Sequence, residues 1–343
     1  MSKASSEFRL QAAIANDGLP FPPEPPKGGT PNRIAATHPP KMDTLIYWPA
    51  RALVALIQAL PLPFVARLGR AGGGLAFWLD VRHRRVALKN LTMCFGGEKS
   101  PEEIRALARE NFRRIGENYA SAIKTAAMSY EELRPHIEFA GTGCLQPPRR
   151  IVVAIGHFGN FELYARFHQS SPGYQCATTY RALKQPGFNR LMQQLRERSG
   201  CLFFERRTDG PLLRAAMNRP GIILGLLADQ STSGLRGPFL GHDCSTTLAP
   251  AVLALRYQCE LFTGFCYRVA PAKWRIELGE KIPTHENNRP RPSGEIMGDV
   301  NRAFEAAVRR DPANWFWVHR RWKAGASKVQ SPESKVENAD PVG

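Results

Sequence analysis

No stretch of this chain supplies the ~20 uninterrupted apolar residues that a membrane-spanning helix wants. The most apolar segment, Leu45 to Leu79, is broken by Arg51, Pro61, Pro63, Arg67 and Arg70. The seven cysteines form no C-x-x-C pair. That argues against a zinc site and a disulfide framework, and the odd count in apolar surroundings points to a reducing compartment. Acidic residues are scarce, 30 against 47 Lys and Arg, and the net charge of +17 calls for an anionic partner. Nucleic acid, an anionic membrane surface and an acidic protein or substrate all qualify. No RNA- or DNA-binding motif and no internal repeat is present. No secretory signal peptide is expected either, because the first apolar run follows a long polar start.

Composition divides what remains. Residues 1–43 read as a disordered leader, with eight prolines between Pro20 and Pro40 and no periodicity. Residues 44–79 read as interfacial helices or a partly inserted anchor, the alternative being a helical hairpin buried in the core. If this segment does span, Arg82, Arg84, Arg85 and Lys89 behind it place the following domain on the cytoplasmic side. Residues 80–135 are expected to be helical. Ser100-Pro-Glu-Glu103 is a capping box that starts a helix running to about Thr125, and Ser129-x-x-Glu132 caps another. Phe112, Ile115, Tyr119 and Ile123 have helical spacing and are assigned to the core. From Gly141 to about Lys323 strands and helices alternate. Strands are expected at 150–155, 175–180, 201–204, 222–228 and 261–267, and helices at 160–168, 186–199, 211–218, 247–257 and 294–309. Alternation of this kind implies an α/β sandwich with a largely parallel sheet, making 80–324 the main domain. Residues 325–343 read as a polar tail.

The segment Ile151-Val-Val-Ala-Ile-Gly-His157-Phe-Gly-Asn160-Phe-Glu162 carries the strongest chemical signal. A short apolar run reads as a buried strand. Gly156 and Gly159 make a turn, and Asn160 is a natural N-cap for the helix that follows. His157 should therefore sit in the loop and reach Glu162 in the first helical turn, where the helix dipole favours an ionised carboxylate. Such a pair can accept the proton of a substrate hydroxyl. No serine or cysteine stands between the two, so the substrate's own hydroxyl is the natural nucleophile. The spacing alone is weak: His38 also has an acid five positions on, Asp43, in the Pro-rich leader.

Ligand crevices in open α/β sheets lie beyond the carboxyl ends of strands. Arg181 follows one expected strand and Asp229-Gln230 another. Arg181 suits an oxyanion or a phosphate, and Asp229 could orient Arg181 or the acceptor. The segment 231–241 suits a lid, an acyl-chain entrance or a plain loop. Trp315-Phe-Trp-Val-His319-Arg320-Arg321-Trp322 interleaves aromatics with cations, as a membrane interface or a phosphorylated ligand would require; core aromatics with solvated cations are the plainer alternative.

Taken together, these residues resemble the late acyltransferases of lipid A biosynthesis, from about Trp48 to Lys323. The resemblance rests on Arg84-Arg-Val-Ala-Leu-Lys-Asn90-Leu-Thr-Met-Cys-Phe95, Gly156-His-Phe-Gly-Asn-Phe-Glu162, Tyr180-Arg181, Asp229-Gln230 with Gly241 and Thr246, and Trp317-Val-His-Arg-Arg321. The H-x4-E element is shared with a wider glycerolipid acyltransferase group. The resemblance implies a glycerolipid-acyltransferase-like fold with an N-terminal membrane helix. It implies acyl transfer from acyl carrier protein, or coenzyme A, to a lipid hydroxyl. His157 would be the base and Glu162 its partner, with Arg181, Asp229, Asn160 and Gln230 in the site and His319, Arg320 and Arg321 toward lipid phosphate or the interface. No metal or cofactor is expected. The partners would be the donor, an anionic glycolipid and the inner-membrane surface, not nucleic acid. Departures are the Pro-rich leader and the charge-interrupted anchor. A lysophospholipid or glycolipid acceptor, a basic nucleic-acid-binding protein and an inactive membrane scaffold are the competing readings.

Overall fold

The computed structural model describes residues 41–230 and 234–322. The expected leader up to residue 40 and the polar tail lie outside these.

The chain begins as a helical hairpin, α1 (Lys41–Ala59) and α2 (Leu62–Leu79), with Pro61 at the junction and Pro63 in the first turn of α2. Helices α3 (Val81–Phe95) and α4 (Pro101–Thr125) follow. The capping box at Ser100 forms as expected, its hydroxyl accepting from Glu103 N while the Glu103 carboxylate accepts from Ser100 N. Ser129 and Glu132 do the same for the short α5 (Tyr130–Leu133). Helix α2 lies against α4 at the closest approach backbone permits. A Cβ on Gly116 would stand 2.2 Å from Gly69 O, and one on Gly73 would stand 2.2 Å from Phe112 O. Charge fixes the same contact: Glu117, fully buried, accepts from Arg70, Arg268 and the Ala272 N–H.

The hairpin is amphipathic and is not buried in the core. Val54, Leu62, Val65, Ala66 and Phe77 point inward, while Trp48, Leu53, Leu56, Phe64, Leu68, Leu75, Trp78 and Leu79 are exposed. Among the described residues, no helix is long and apolar enough to cross a membrane.

The rest is α/β. The longer strands, in chain order, are β1 (Ile137–Ala140), β2 (Ile151–Ile155), β3 (Gln175–Tyr180), β4 (Leu202–Glu205), β5 (Ile222–Leu227), β6 (Leu235–Phe239), β7 (His242–Thr246), β8 (Glu260–Ala270) and β9 (Lys273–Ile282). Seven form one sheet in the order β1-β9-β8-β2-β5-β3-β4, parallel except where β9 folds back on β8. Helices α6 (Pro186–Glu197), α7 (Gly210–Met217), α8 (Ala249–Arg256) and α9 (Ser293–Arg310) connect and cover it. Strand β2 is buried at every residue, as an interior parallel strand should be.

Two local expectations change. Phe161–Ser170 is 3-10 rather than α-helix, and Asn160 makes no side-chain cap bond. The segment after Asp229 resolves, in its described part, into the β6–β7 hairpin, turned at Leu240 and Gly241, both with positive φ. This hairpin is docked: Phe239 is fully buried against Trp315 and Trp322.

Candidate active site

Strand order makes the site. Strands β2 and β5 are neighbours in register, Ile155 opposite Leu227, so the residues just beyond their carboxyl ends emerge side by side. His157 Nδ1 lies 2.7 Å from Asp229 Oδ1. The His157 backbone N–H donates to Asp229 Oδ2 at 2.7 Å, and Trp315 Nε1 donates to the same oxygen at 2.8 Å. Asp229 is 1% exposed. A buried lone carboxylate is costly, and these three donors compensate it. Burial alone would raise its pKa, but the His157 and Trp315 contacts outweigh burial and hold the carboxyl down at about 2. An ionised Asp229 accepting from Nδ1–H leaves the lone pair on Nε2, where the Gln230 amide sits 3.3 Å away. Phe161 and Phe316 pack against the imidazole, centroids at 4.9 and 5.9 Å.

The turn that presents His157 needs its glycines. A Cβ on Gly156 would meet the Phe158 ring at 2.5 Å, and Gly159, at φ +52, would meet Cys266 O at 2.4 Å. Trp315 arrives from the far end of the chain. Phe158 bridges to Trp315, and Gly159 N donates to Asn314 O. Buried Asn111 donates to the carbonyls of Ala313 and Trp315, and buried Asn90 to those of Trp317 and His319. Two amides on α3 and α4 thus pin the segment that completes the Asp229 shell.

The partner expected for His157 is therefore corrected. Glu162 does not bond the imidazole. It forms a forked pair with Arg196 of α6, at 2.7 and 3.2 Å, and Arg196 lies over the Phe203 ring. Asp229 orients His157 rather than Arg181 or an acceptor. The N–H groups of residues 157, 158 and 159 donate to Asp229, Gly156 O and Asn314 O, so they are not available as oxyanion donors. Asn160 is buried, with both side-chain amide atoms lacking hydrogen-bond partners among the described residues. Arg321 is fully buried and donates to Ser245 O and Thr246 Oγ1 while covering Phe239. It holds the β6–β7 hairpin and is not a surface phosphate contact. Arg320 is exposed, and Trp315, Trp317 and Trp322 are core.

A cavity of about 880 Å³ opens beside His157. Ile151, Val153 and Ile155 line it along one face of β2, roofed by Tyr164, Ala165 and Phe167 of the 3-10 segment, with Gly225 and Gly264 beneath. Its polar lining includes Arg181, Arg206, Arg207, Gln230 and His319. Arg181 and Arg207 are exposed. Arg181 and Arg206 leave neighbouring strands, since Tyr180 and Glu205 are paired in register. Cys176 is also in the wall, but burial pushes its thiol up to about 12, so it stays protonated and is no nucleophile.

A second cavity of about 210 Å³ also borders His157, between α4 and α6. Here the helical stripe assigned to the core is corrected. Phe112 is buried, but Ile115, Tyr119 and Ile123 line this cavity, and Tyr119 is 51% exposed.

A parallel-sheet α/β enzyme is the class defined by a His–Asp pair at adjacent strand ends, opening on a long apolar cavity. Sequence comparison narrows this. The family model of the bacterial lipid A biosynthesis acyltransferases matches residues 35–324, and the chain belongs to that family. It is 24% identical over 311 residues to the lipid A biosynthesis lauroyltransferase of Escherichia coli (strain K12), covering 86% of this chain and 99% of the relative. It is 26% identical over 300 residues to the palmitoleoyltransferase of the same strain, covering 80% and 90%. A lipid A biosynthesis acyltransferase of Haemophilus influenzae is 23% identical over 290 residues, covering 81% and 90%.

Proposed function

We propose that this acyltransferase moves a fatty acyl chain from a thioester to a hydroxyl of a lipid A precursor, with His157 as general base. The observation that carries the reading is the His157–Asp229 pair at the edge of the apolar cavity. The acyl chain lies along β2, which places the thioester carbonyl beside His157. Nε2 takes the proton of the acceptor hydroxyl as its oxygen attacks that carbonyl. Asp229 stabilises the imidazolium. The tetrahedral intermediate then collapses, the C–S bond breaks, and the imidazolium returns its proton to the thiolate. Gln230 Nε2 is the donor best placed for the oxyanion. Such a donor supplies about 3 kcal/mol of barrier reduction.

Arg181 has a different place. Its strand is two positions from β2, roughly 10 Å at ordinary strand spacing. It acts with Arg206 and Arg207 at the cavity rim, where cations suit an acidic acyl carrier protein or coenzyme A. Glu162 acts through the wall: paired with Arg196, it borders both cavities. Glu162→Gln is expected to lower kcat about 10- to 100-fold by loosening that wall. A near wild-type rate, measured with purified protein, would show that the Glu162–Arg196 pair has no bearing on the chemistry.

The exposed apolar face of α1 and α2, with Arg51, Arg67, Arg82 and Arg85 exposed around it, fits a helix pair lying in the interface of the inner membrane. The catalytic domain then faces the cytoplasm. Leu56→Glu with Leu68→Glu is expected to weaken sedimentation with phosphatidylglycerol-containing vesicles about tenfold or more. Unchanged sedimentation would remove the hairpin from the membrane contact. In cells, deletion of the gene is expected to leave lipid A short of one secondary acyl chain by mass spectrometry, with restoration by the wild-type gene. Complete acylation after deletion would point to another acceptor.

A further inference from the structure

Two cavities meet at His157, and acyl transfer joins two substrates. Phe161, Glu162, Met192, Arg196 and Phe203 stand in the wall common to both. We propose that the smaller cavity is the subsite for a hydrocarbon chain of the acceptor lipid. Donor and acceptor chains then converge on His157 from separate compartments. The inference rests on the acyl-transfer reading above and assigns a place to the second substrate.

The lining favours hydrocarbon. Ile115, Ala122, Ile123, Leu163 and Leu195 supply apolar walls, and about 210 Å³ is far more than a lone water requires. The arginines in the lining are already committed. Arg114 pairs with Glu110 and Asp311, Arg196 pairs with Glu162, and Arg166 donates to the carbonyls of Thr125 and Met128. The cavity is therefore not built for a phosphate.

Position favours the acceptor over the donor. Helix α1 joins both walls of the cavity. Gln58 Nε2 donates to Ile123 O, Lys124 Nζ donates to Gln58 O, and Tyr47 Oη donates to Gln194 on α6. The same helix exposes Trp48, Leu53 and Leu56. The smaller cavity thus adjoins the apolar hairpin, the side from which a membrane-resident lipid arrives. The larger cavity instead has Arg181, Arg206 and Arg207 in its lining, just beyond the carboxyl ends of β3 and β4. That arrangement suits a donor with an anionic, water-soluble carrier.

The test uses the full chain with lipid A precursor in mixed micelles and an acyl thioester. Ala122→Phe, which fills the smaller cavity, is expected to raise KM for the lipid at least about tenfold and to leave KM for the thioester unchanged. A rise confined to the thioester, or no change in either, overturns the assignment. A second measurement does not depend on the variant folding. A precursor carrying a photoreactive diazirine on an acyl chain is irradiated with the wild-type protein and the labelled peptides are mapped. Labelling at Ile115, Ala122, Ile123 or Leu195, which line only the smaller cavity, supports the subsite, whereas labelling confined to 151–155 overturns it. Failure of the wild-type chain to acylate the precursor at all would defeat the functional reading instead.

Discussion

His157→Ala is expected to lower acyl transfer roughly 10³-fold or more, with little change in melting temperature or vesicle binding. The size follows from what the imidazole does. Without Nε2, the acceptor hydroxyl must attack with its proton still on, or surrender it to water that the apolar cavity excludes. Neither Glu162 nor Cys176 replaces it: Glu162 is occupied by Arg196, and the Cys176 thiol stays protonated. Folding should be spared, because the Asp229 shell keeps two of its three donors, the residue-157 N–H and Trp315 Nε1. Initial rates from purified protein at matched concentration check this. Turnover within a few-fold of wild type would remove His157 from the chemistry.

Asp229→Asn is expected to be almost as damaging, on the order of 10²- to 10⁴-fold in kcat, although it only replaces one carboxylate oxygen by an NH2 group of nearly the same shape. Three donors converge on the carboxylate. An amide presents one oxygen and one NH2 group, so at least one donor is left facing another donor. Either the imidazole turns to its other tautomer, with Nε2 protonated and useless as a base, or a buried N–H goes unpaired at about 1–3 kcal/mol. The pH dependence separates this role from simple packing. The carboxyl is held below its ordinary 3.8, at about 2. Its contribution to stability is therefore complete above the unfolded value and is lost as pH falls from about 4 toward 2, an amount on the order of 2 kcal/mol. Wild-type protein should show that acid-dependent loss, and Asp229→Asn should lack it. Because Asp229 titrates so low, it adds no inflection to the rate profile near neutral pH. Equal acid sensitivity in both proteins, with activity retained, would make Asp229 a packing residue.

Much of the fold was legible in the sequence. The β3 strand and the α4 helix, with its Ser100 cap, fall where periodicity and capping chemistry put them, because both signals are local. The residues at strand ends were legible too, as His157, Arg181 and Asp229 stood out against apolar runs. Which strand end faces which was not. Strand order is set by crossovers, and only the adjacency of β2 and β5 hands His157 to Asp229 instead of to the nearer Glu162. The 3-10 conformation after Asn160 and the arrival of Arg196 from α6 decide the fate of Glu162, and neither has a short-range signature. Trp315, Asn90 and Asn111 reach the site across long sequence separations. Helical spacing marked Ile115, Tyr119 and Ile123 as apolar-facing, but the same spacing serves a core and a cavity wall equally well. Arg321 shows the converse: a cation beside tryptophans looked like surface chemistry and is a buried brace.

The most direct measurement combines the purified full chain, an acyl thioester and a lipid A precursor in one reaction, read by mass spectrometry of the intact lipid. A single ester-linked acyl mass on the precursor, formed by wild type and lost in His157→Ala and Asp229→Asn alike, is the predicted result. Thioester consumed with the precursor unchanged, or product formed equally by all three proteins, would contradict it.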